Sequence, residues 1–157
     1  MIVQGQRLPE GVLGELTADG VVEHQVRELF AKKKAVLFAV PGAFTPTCSN
    51  AHLPGYVALA DEIKAHGIDF IACLSVNDAF VMHAWGKDQN AAELMMLADG
   101  SGAFTKALGL EFDTGIFGGI RSRRYAMIVE DGIVTLLNVE APKAFEVSDA
   151  RTILAAL

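Results

Sequence analysis

Apolar residues occur in short blocks along this chain, and each block is bounded by glycine, proline or charged residues. The longest blocks are Ala35–Val40, which is continuous, and Ile68–Val76, which is interrupted by Asp69 and Ser75. A continuous apolar run of this length is typical of a strand that is buried on both faces of a sheet. A shorter block at Leu94–Leu97 predicts a further strand. We therefore expect these segments to form the centre of one sheet.

Helical patterns alternate with these strands. Apolar residues between positions 56 and 63 recur with a period of 3.6 residues, and Gly67 is a suitable carboxyl-terminal cap for that helix. A second helix is predicted over Ala79–Gly86, and a third follows the strand at Leu94–Leu97. The amino-terminal caps are expected at Asn77 or Asp78 and at Ser101. This alternation indicates an α/β architecture.

The carboxyl-terminal part has a different pattern. Arg124–Val129 and Ile133–Val139 flank the tight turn Glu130-Asp131-Gly132, which predicts an antiparallel hairpin. Ser148 is expected to cap a final helix, and a small hairpin is predicted around Ala18-Asp19-Gly20. This order of elements is that of a thioredoxin-like fold, with a mixed central sheet and helices on both of its faces.

Length and composition limit the classes of protein that need to be considered. The chain has 157 residues, of which 52% are hydrophobic and 20% charged, so we expect one packed domain spanning residues 1–157. The apolar runs are too short to cross a membrane and no secretory signal pattern precedes them, which predicts a cytoplasmic protein without a membrane partner. A net charge of −6 argues against nucleic acid as a partner.

The chain contains two cysteines, Cys48 and Cys73. Two are too few for a disulfide framework, and their spacing is not the CxxC of a dithiol oxidoreductase or zinc ribbon. Any thiol chemistry must come from one cysteine or from one distant pair. Cys73 lies inside an apolar strand, where a structural, buried thiol is the usual state. The alternative is that Cys73 resolves oxidised Cys48 by forming a disulfide with it.

Cys48 follows a helix-start signal. Thr45 suits the capping position and Pro46 the first helical position, which places Cys48 in the first turn. Unpaired N–H groups and the helix dipole favour a thiolate there, typically by about 0.3–1 kcal/mol. That is too little to ionise a cysteine at neutral pH, so a cation is needed as well. Arg124 is the candidate, although a charge at a strand end is often only a surface residue.

Other residues near Cys48 have two possible roles each. The hydroxyl of Thr45 can accept a hydrogen bond from a bound hydroperoxide, or it can only cap the helix. Pro41 and Gly42 can shape a pocket or simply end the strand. His52, four residues after Cys48, suggests a thiolate–imidazolium pair or a metal ligand, but we favour a packing or hydrogen-bonding residue. We expect no metal, because these residues lack a further ligand at a characteristic spacing.

One segment of the sequence is recognisable. The run from Pro41 to Ser49, PGAFTPTCS, continued by His52-Leu53-Pro54-Gly55-Tyr56, closely resembles the active-site segment of type II peroxiredoxins, the peroxiredoxin-5 subfamily. The resemblance continues through three further segments, which are Ala72–Asp78, Ala84–Asp88 and Arg124–Gly132. It therefore extends in order over nearly the whole chain.

The resemblance implies a thiol-dependent peroxidase that reduces hydrogen peroxide and alkyl hydroperoxides without a cofactor. Cys48 would be the peroxidatic cysteine, which attacks the peroxide and becomes a sulfenic acid. Arg124 would polarise both the thiolate and the peroxide. The other residues implied in the pocket are Pro41, Thr45, Gly42, Phe44 and Phe117.

The resemblance leaves the reductant open. Ala141–Leu157 contains no cysteine, whereas some relatives carry a resolving cysteine near the carboxyl terminus. We expect an external thiol, glutathione with glutaredoxin or thioredoxin, in preference to Cys73. The family also implies a homodimer formed through the active-site loops and the helix that carries Phe80 and Trp85.

Two other functions fit a single reactive cysteine. One is a non-catalytic thioredoxin-like redox sensor or interaction module. The other is a cysteine hydrolase in which a histidine acts as the base. Catalytic turnover of peroxide would separate the peroxidase from both.

Overall fold

The computed structural model describes all 157 residues and contains nine strands and five α-helices. The strands are β1 (Val12–Thr17), β2 (Gly20–Gln25), β3 (Lys34–Ala39), β4 (Phe70–Ser75), β5 (Met95–Ala98), β6 (Glu111–Asp113), β7 (Ile120–Ser122), β8 (Tyr125–Glu130) and β9 (Ile133–Val139). The helices are α1 (Val26–Phe30), α2 (Leu53–Lys64), α3 (Ala79–Asp88), α4 (Ala103–Leu108) and α5 (Ala150–Ala155). None of these helices is both long enough and apolar enough to cross a membrane.

Seven strands form one mixed sheet in the order β2-β1-β5-β4-β3-β8-β9. β3 pairs in parallel with β4, and β4 pairs in parallel with β5. β8 adds antiparallel to the other side of β3 and continues into the β8–β9 hairpin. β6 and β7 form a separate two-stranded ribbon. The predicted central strands and both predicted hairpins are therefore confirmed.

Side chains alternate across β3 and divide the interior into two cores. Val36 and Phe38 point toward α2, α3 and α5, whereas Ala35 and Leu37 point toward α1 and α4. Alternate residues of β4 divide in the same way, with Cys73 on the side of α2. Because both faces of the sheet are covered by helices, the predicted thioredoxin-like architecture is confirmed.

The predicted helix caps are partly wrong. Asp78, and not Asn77, accepts a backbone N–H in the first turn of α3 at 2.9 Å. Asp99 accepts two N–H groups of α4 at 3.2 and 2.8 Å, while Ser101 accepts one weaker bond of 3.3 Å. Asp149 caps α5, and the predicted cap Ser148 binds a glutamate instead. In each case an aspartate carboxylate, which is the stronger hydrogen-bond acceptor, accepts the N–H groups at the start of the helix in preference to an uncharged side chain.

Candidate active site

Cys48 lies at the carboxyl end of β3, where the chain leaves the sheet and turns into a helix. The helix begins at Pro46, as predicted, and the N–H of Ser49 donates to the carbonyl of Thr45 at 2.9 Å. From Cys48 to His52 the helix widens into a π-helical turn, in which the N–H of Leu53 donates to the carbonyl of Cys48. Pro54 has no N–H to donate to the backbone hydrogen bonds of a regular α-helix, and the wider π-helical turn accommodates this missing donor. The thiol of Cys48 is fully buried.

The hydroxyl of Thr45 does not cap this helix. It donates instead to the carbonyl of Gly42 at 2.7 Å, so the predicted side-chain cap is wrong. With its proton committed to Gly42, the Thr45 oxygen can still accept a hydrogen bond. A side chain at Gly42 would press on Thr45, because a Cβ there would lie 3.2 Å from the Thr45 methyl carbon.

The loop before the helix is held at the sheet edge by Asn77. The side-chain oxygen of Asn77 accepts the N–H of Ala43 at 3.0 Å and the hydroxyl of Ser75 at 2.6 Å. Phe44, the next residue, adopts a left-handed backbone conformation with φ of 64°. A non-glycine residue in that region is strained and persists only where its surroundings fix it. Asn77, predicted only as a possible cap, is one of the groups that fix this loop.

Arg124 binds Cys48 directly. Its Nη2 lies 3.2 Å from Cys48 Sγ, and its Nη1 lies 2.8 Å from Nδ1 of His52. Arg124 immediately precedes β8, and its neighbour Tyr125 pairs with Ala39 at the end of β3. This pairing brings residues that are 76 positions apart into contact at one sheet edge. The guanidinium therefore lies within hydrogen-bonding distance of the sulfur.

His52 is a neutral acceptor in this arrangement. Its Nε2 lies 3.0 Å from the carbonyl oxygen of Ser148, and since a carbonyl can only accept, Nε2 carries the proton and Nδ1 accepts from Arg124. Burial and then the Arg124 charge lower the pKa of His52 to about 3. His52 is therefore the buried, hydrogen-bonding histidine that we favoured, and not the cation of a thiolate–imidazolium pair. Neither nitrogen is left to act as the base of a hydrolase or to bind a metal.

The free energy of unfolding should depend on the ionisation of His52. The folded pKa of about 3 lies below the ordinary value of 6.5, so the unfolded chain binds a proton that the folded chain excludes. This contribution to stability is complete above pH 6.5 and is lost as the pH falls toward 3, by up to about 1.4 kcal/mol per pH unit. Urea unfolding at several pH values measures it.

His52→Gln is the matched control for that experiment. A glutamine amide can accept from Arg124 and donate to the Ser148 carbonyl, but it does not titrate. The variant should therefore show a shallower loss of stability between pH 6.5 and 4 than the wild type. Equal slopes in the two proteins would contradict a neutral, buried His52.

Glu140 organises the far side of His52, and the sequence carried no signal for it. Its carboxylate accepts the N–H groups of Glu146, Val147 and Ser148 at 2.8–2.9 Å and the Ser148 hydroxyl at 2.7 Å. Burial alone would raise the pKa of Glu140, but these hydrogen bonds outweigh it and lower the pKa below its ordinary value. These hydrogen bonds to Glu140 hold the Ser148 carbonyl in place. The Ser148 carbonyl orients the ring of His52, and His52 in turn orients Arg124.

Several proteins that are similar to this chain in sequence or in structure are peroxiredoxins. A family model described as Redoxin matches residues 3–154. Peroxiredoxin-2E, chloroplastic, of Arabidopsis thaliana is 50% identical over a match that covers 98% of this chain and 68% of the relative. The chain belongs to the peroxiredoxin family.

Solved structures agree with this assignment. The crystal structure of reduced Prx3 from Vibrio vulnificus in complex with hydrogen peroxide is 69% identical with a TM-score of 0.98, and the match covers 99% of both chains. The crystal structure of peroxiredoxin 5 from Alvinella pompejana is 36% identical with a TM-score of 0.88, and the match covers 99% of this chain and 97% of the other. The predicted type II peroxiredoxin is thus confirmed, and the chain is a thiol-dependent peroxidase.

The second cysteine of this peroxiredoxin lies in the same core as Cys48. Cys73 sits on β4 opposite Phe38 of β3 and is fully buried. Burial, and next the neighbouring Cys48, raise the pKa of the Cys73 thiol well above its ordinary value. Such a thiol is a weak nucleophile at neutral pH.

The cavity beside Cys48 contains some of the predicted pocket residues and not others. Pro41 and Arg124 line it, together with Thr47, the residue before the cysteine. Phe117 lies in a 3₁₀ turn, Gly115–Phe117, and its side chain is 77% exposed outside this cavity. Phe44 is also exposed and faces Trp85 at a ring separation of 6.4 Å. The substrate-binding roles of Gly42, Phe44 and Phe117 stay predictions.

Proposed function

We propose that this peroxiredoxin reduces hydrogen peroxide and alkyl hydroperoxides at Cys48 and is regenerated by an external thiol, either glutathione with glutaredoxin or thioredoxin. The contact between Arg124 and Cys48 carries the proposal, because the guanidinium both lines the cavity and lies 3.2 Å from the Cys48 sulfur. The Vibrio vulnificus relative was crystallised with hydrogen peroxide, which supports the choice of substrate.

The first half of the cycle follows from these contacts. The Cys48 thiolate attacks the nearer peroxide oxygen, the O–O bond breaks, and the other oxygen leaves as water or an alcohol after taking up a proton. Cys48 is thereby oxidised to a sulfenic acid. In this proposal the Thr45 oxygen accepts a hydrogen bond from the bound peroxide, and Pro41 keeps water from one side of the sulfur. Arg124 stabilises the charge that shifts onto the leaving oxygen.

The burial and raised pKa of Cys73 support an external reductant. Replacing Cys73 by serine should leave turnover with glutathione and glutaredoxin within about twofold of the wild type, because a buried thiol with a raised pKa supplies little nucleophilic thiolate. Peroxide consumption and the masses of the two cysteine peptides measure this. Cys73→Ala provides a second variant, since a buried serine hydroxyl can itself destabilise the core.

The opposite result would identify an internal route. If both Cys73 variants fold but stop after one reaction, and the oxidised wild type contains a Cys48–Cys73 disulfide, Cys73 is the resolving cysteine. The chain would then have to rearrange around the π-helical turn, because both thiols are buried in the reduced state.

A homodimer is the second part of the proposal. Three aromatic side chains are exposed at the end of the sheet that carries Cys48, at 54% for Phe44, 64% for Phe80 and 77% for Phe117. Apolar side chains that protrude together are characteristic of interaction sites. Sedimentation velocity should show that the wild type is a dimer and that Phe80→Glu is a monomer. A wild type that is monomeric at micromolar concentration would reject the proposed dimer.

We also place the protein in the cytoplasm. Both cysteines are free thiols, and the proposed reductants act in a reducing compartment. Fractionation of cells that express the protein would test this, and recovery from an oxidising compartment would reject it.

A further inference from the structure

The cavity beside Cys48 is more cationic than reduction of hydrogen peroxide requires. It has a volume of about 360 Å³, and the charged residues that line it are Arg123, Arg124, Lys143 and Glu140. Hydrogen peroxide is uncharged and has two heavy atoms, and Arg124 already contacts the reacting sulfur. The reaction with peroxide therefore does not require Arg123 or Lys143. Their positive charges at this cavity contrast with the net charge of −6 of the whole chain.

Neither Arg123 nor Lys143 forms an ion pair with a carboxylate. The ion pairs of the protein lie elsewhere, at His24–Glu15, Arg27–Glu10 and Lys64–Glu93. Arg123 donates only to the backbone carbonyl of Glu140, at 3.2 Å, which holds its guanidinium at the cavity wall. The carboxylate of Glu140 lines the same cavity, but its oxygens accept hydrogen bonds from residues 146–148 and none from Arg123 or Lys143. An arginine with no acidic partner at a cavity wall is a ready anion site.

Neighbouring acidic residues do not cancel this charge. Phe112 of β6 lines the cavity with its side chain. Successive side chains of a strand point to opposite faces, so Glu111 and Asp113 point away from the cavity that Phe112 faces. Lys143 projects from an exposed turn with φ of 64°, closed by a 2.9 Å bond from the N–H of Ala144 to the carbonyl of Ala141.

We propose that Arg123 and Lys143 bind the carboxylate of a small anionic thiol that reduces the Cys48 sulfenic acid. The inference rests on the proposed function and specifies the chemistry of its second substrate. The thiolate sulfur attacks the sulfenic sulfur, an S–S bond forms and the S–O bond breaks, and the hydroxyl leaves with a proton as water. Cys48 is reduced in this step and the incoming thiol is oxidised. A second thiol then releases Cys48 by disulfide exchange.

The test compares small thiols that differ in charge. Cys48 is first oxidised with one equivalent of hydrogen peroxide and then mixed with mercaptoacetate, 2-mercaptoethanol or cysteamine. Trp85 is the only tryptophan and donates to the hydroxyl of Ser49, next to Cys48, so its fluorescence can follow the reaction. Quenched samples analysed by mass confirm the mixed disulfide.

Arg123→Gln with Lys143→Gln should slow the reaction with mercaptoacetate about tenfold relative to the wild type. The same double variant should slow the reaction with 2-mercaptoethanol no more than about twofold and should accelerate the reaction with cysteamine. Arg123→Lys should recover part of the rate with mercaptoacetate, because it retains the charge. Added salt should slow mercaptoacetate in the wild type and much less in the double variant.

Lys106→Gln is the matched control, because it removes the same charge from a separate surface cavity lined by Met1 and Arg7. It should leave all three thiols unaffected. Lys143→Gln alone keeps the test valid if Arg123→Gln misfolds, since Lys143 is exposed on a turn.

Three results would overturn the inference. The first is an equal effect of the double variant on mercaptoacetate and 2-mercaptoethanol, and the second is no effect on mercaptoacetate. The third is slower sulfenic acid formation with a carboxylate-bearing hydroperoxide but unchanged reduction by mercaptoacetate, which would assign the site to the peroxide. Consumption of hydrogen peroxide with excess 2-mercaptoethanol, measured in parallel, shows separately whether the peroxidase proposal itself holds.

Discussion

Cys48→Ser should abolish catalytic reduction of hydrogen peroxide. A serine hydroxyl is a far weaker nucleophile than a cysteine thiolate and cannot be oxidised to a sulfenic acid. Removing a nucleophile commonly lowers turnover by three or more orders of magnitude, so we expect a loss of at least about a thousandfold. Peroxide consumption with excess glutathione and glutaredoxin measures it.

The retained Cys73 serves as an internal control in the Cys48→Ser variant. Cys73 remains present in Cys48→Ser, so residual turnover would show how much the buried thiol can do without Cys48. Turnover near the wild-type rate would reject Cys48 as the peroxidatic residue. A wild type that reacts with one equivalent of peroxide and then stops, even with excess reductant, would indicate a redox sensor.

The strands of the sheet could be predicted where burial produces a recognisable run of apolar residues in the sequence. The continuous apolar runs at β3 and β4 predicted central strands because both of their faces are covered by helices. The short strands β6 and β7 were not predicted, since each has three residues and no repeating pattern to detect. Helix caps were predicted less well, because several polar residues compete for each helix start and tertiary contacts decide among them.

The active site was predictable only in part. Cys48 was identified from its place at a helix start, but Arg124 lies 76 positions away and gained weight only through the family resemblance. Glu140 and Ser148 were missed because they act through backbone groups and a loop, which leave no motif. His52 was noticed for its spacing and was favoured as a packing or hydrogen-bonding residue, but its bond to Arg124 could not be predicted because it depends on a contact across 72 positions.

Arg124 occupies a position that another cation cannot fill in the same way. Its two nitrogens reach different partners, Cys48 Sγ at 3.2 Å and His52 Nδ1 at 2.8 Å. The guanidinium is rigid and planar, so the bond to His52 fixes the direction of the nitrogen that faces the sulfur. The ring of Phe145 lies 5.8 Å from the guanidinium carbon and limits its movement further. Orientation, as well as charge, therefore depends on the arginine.

Arg124→Lys should lower the second-order rate constant for oxidation of Cys48 by hydrogen peroxide about 10²–10³-fold. That is the usual effect of losing one oriented donor at a reacting centre. Lysine retains the charge, but a single ammonium on a flexible chain is not held in place as the two-nitrogen fork is. Stopped-flow fluorescence of Trp85 measures the rate constant, and Arg27→Lys at the exposed Arg27–Glu10 pair is the matched control. A lysine variant within about threefold of the wild type would show that charge alone suffices, and the chain of contacts from Glu140 through His52 would then have no catalytic consequence.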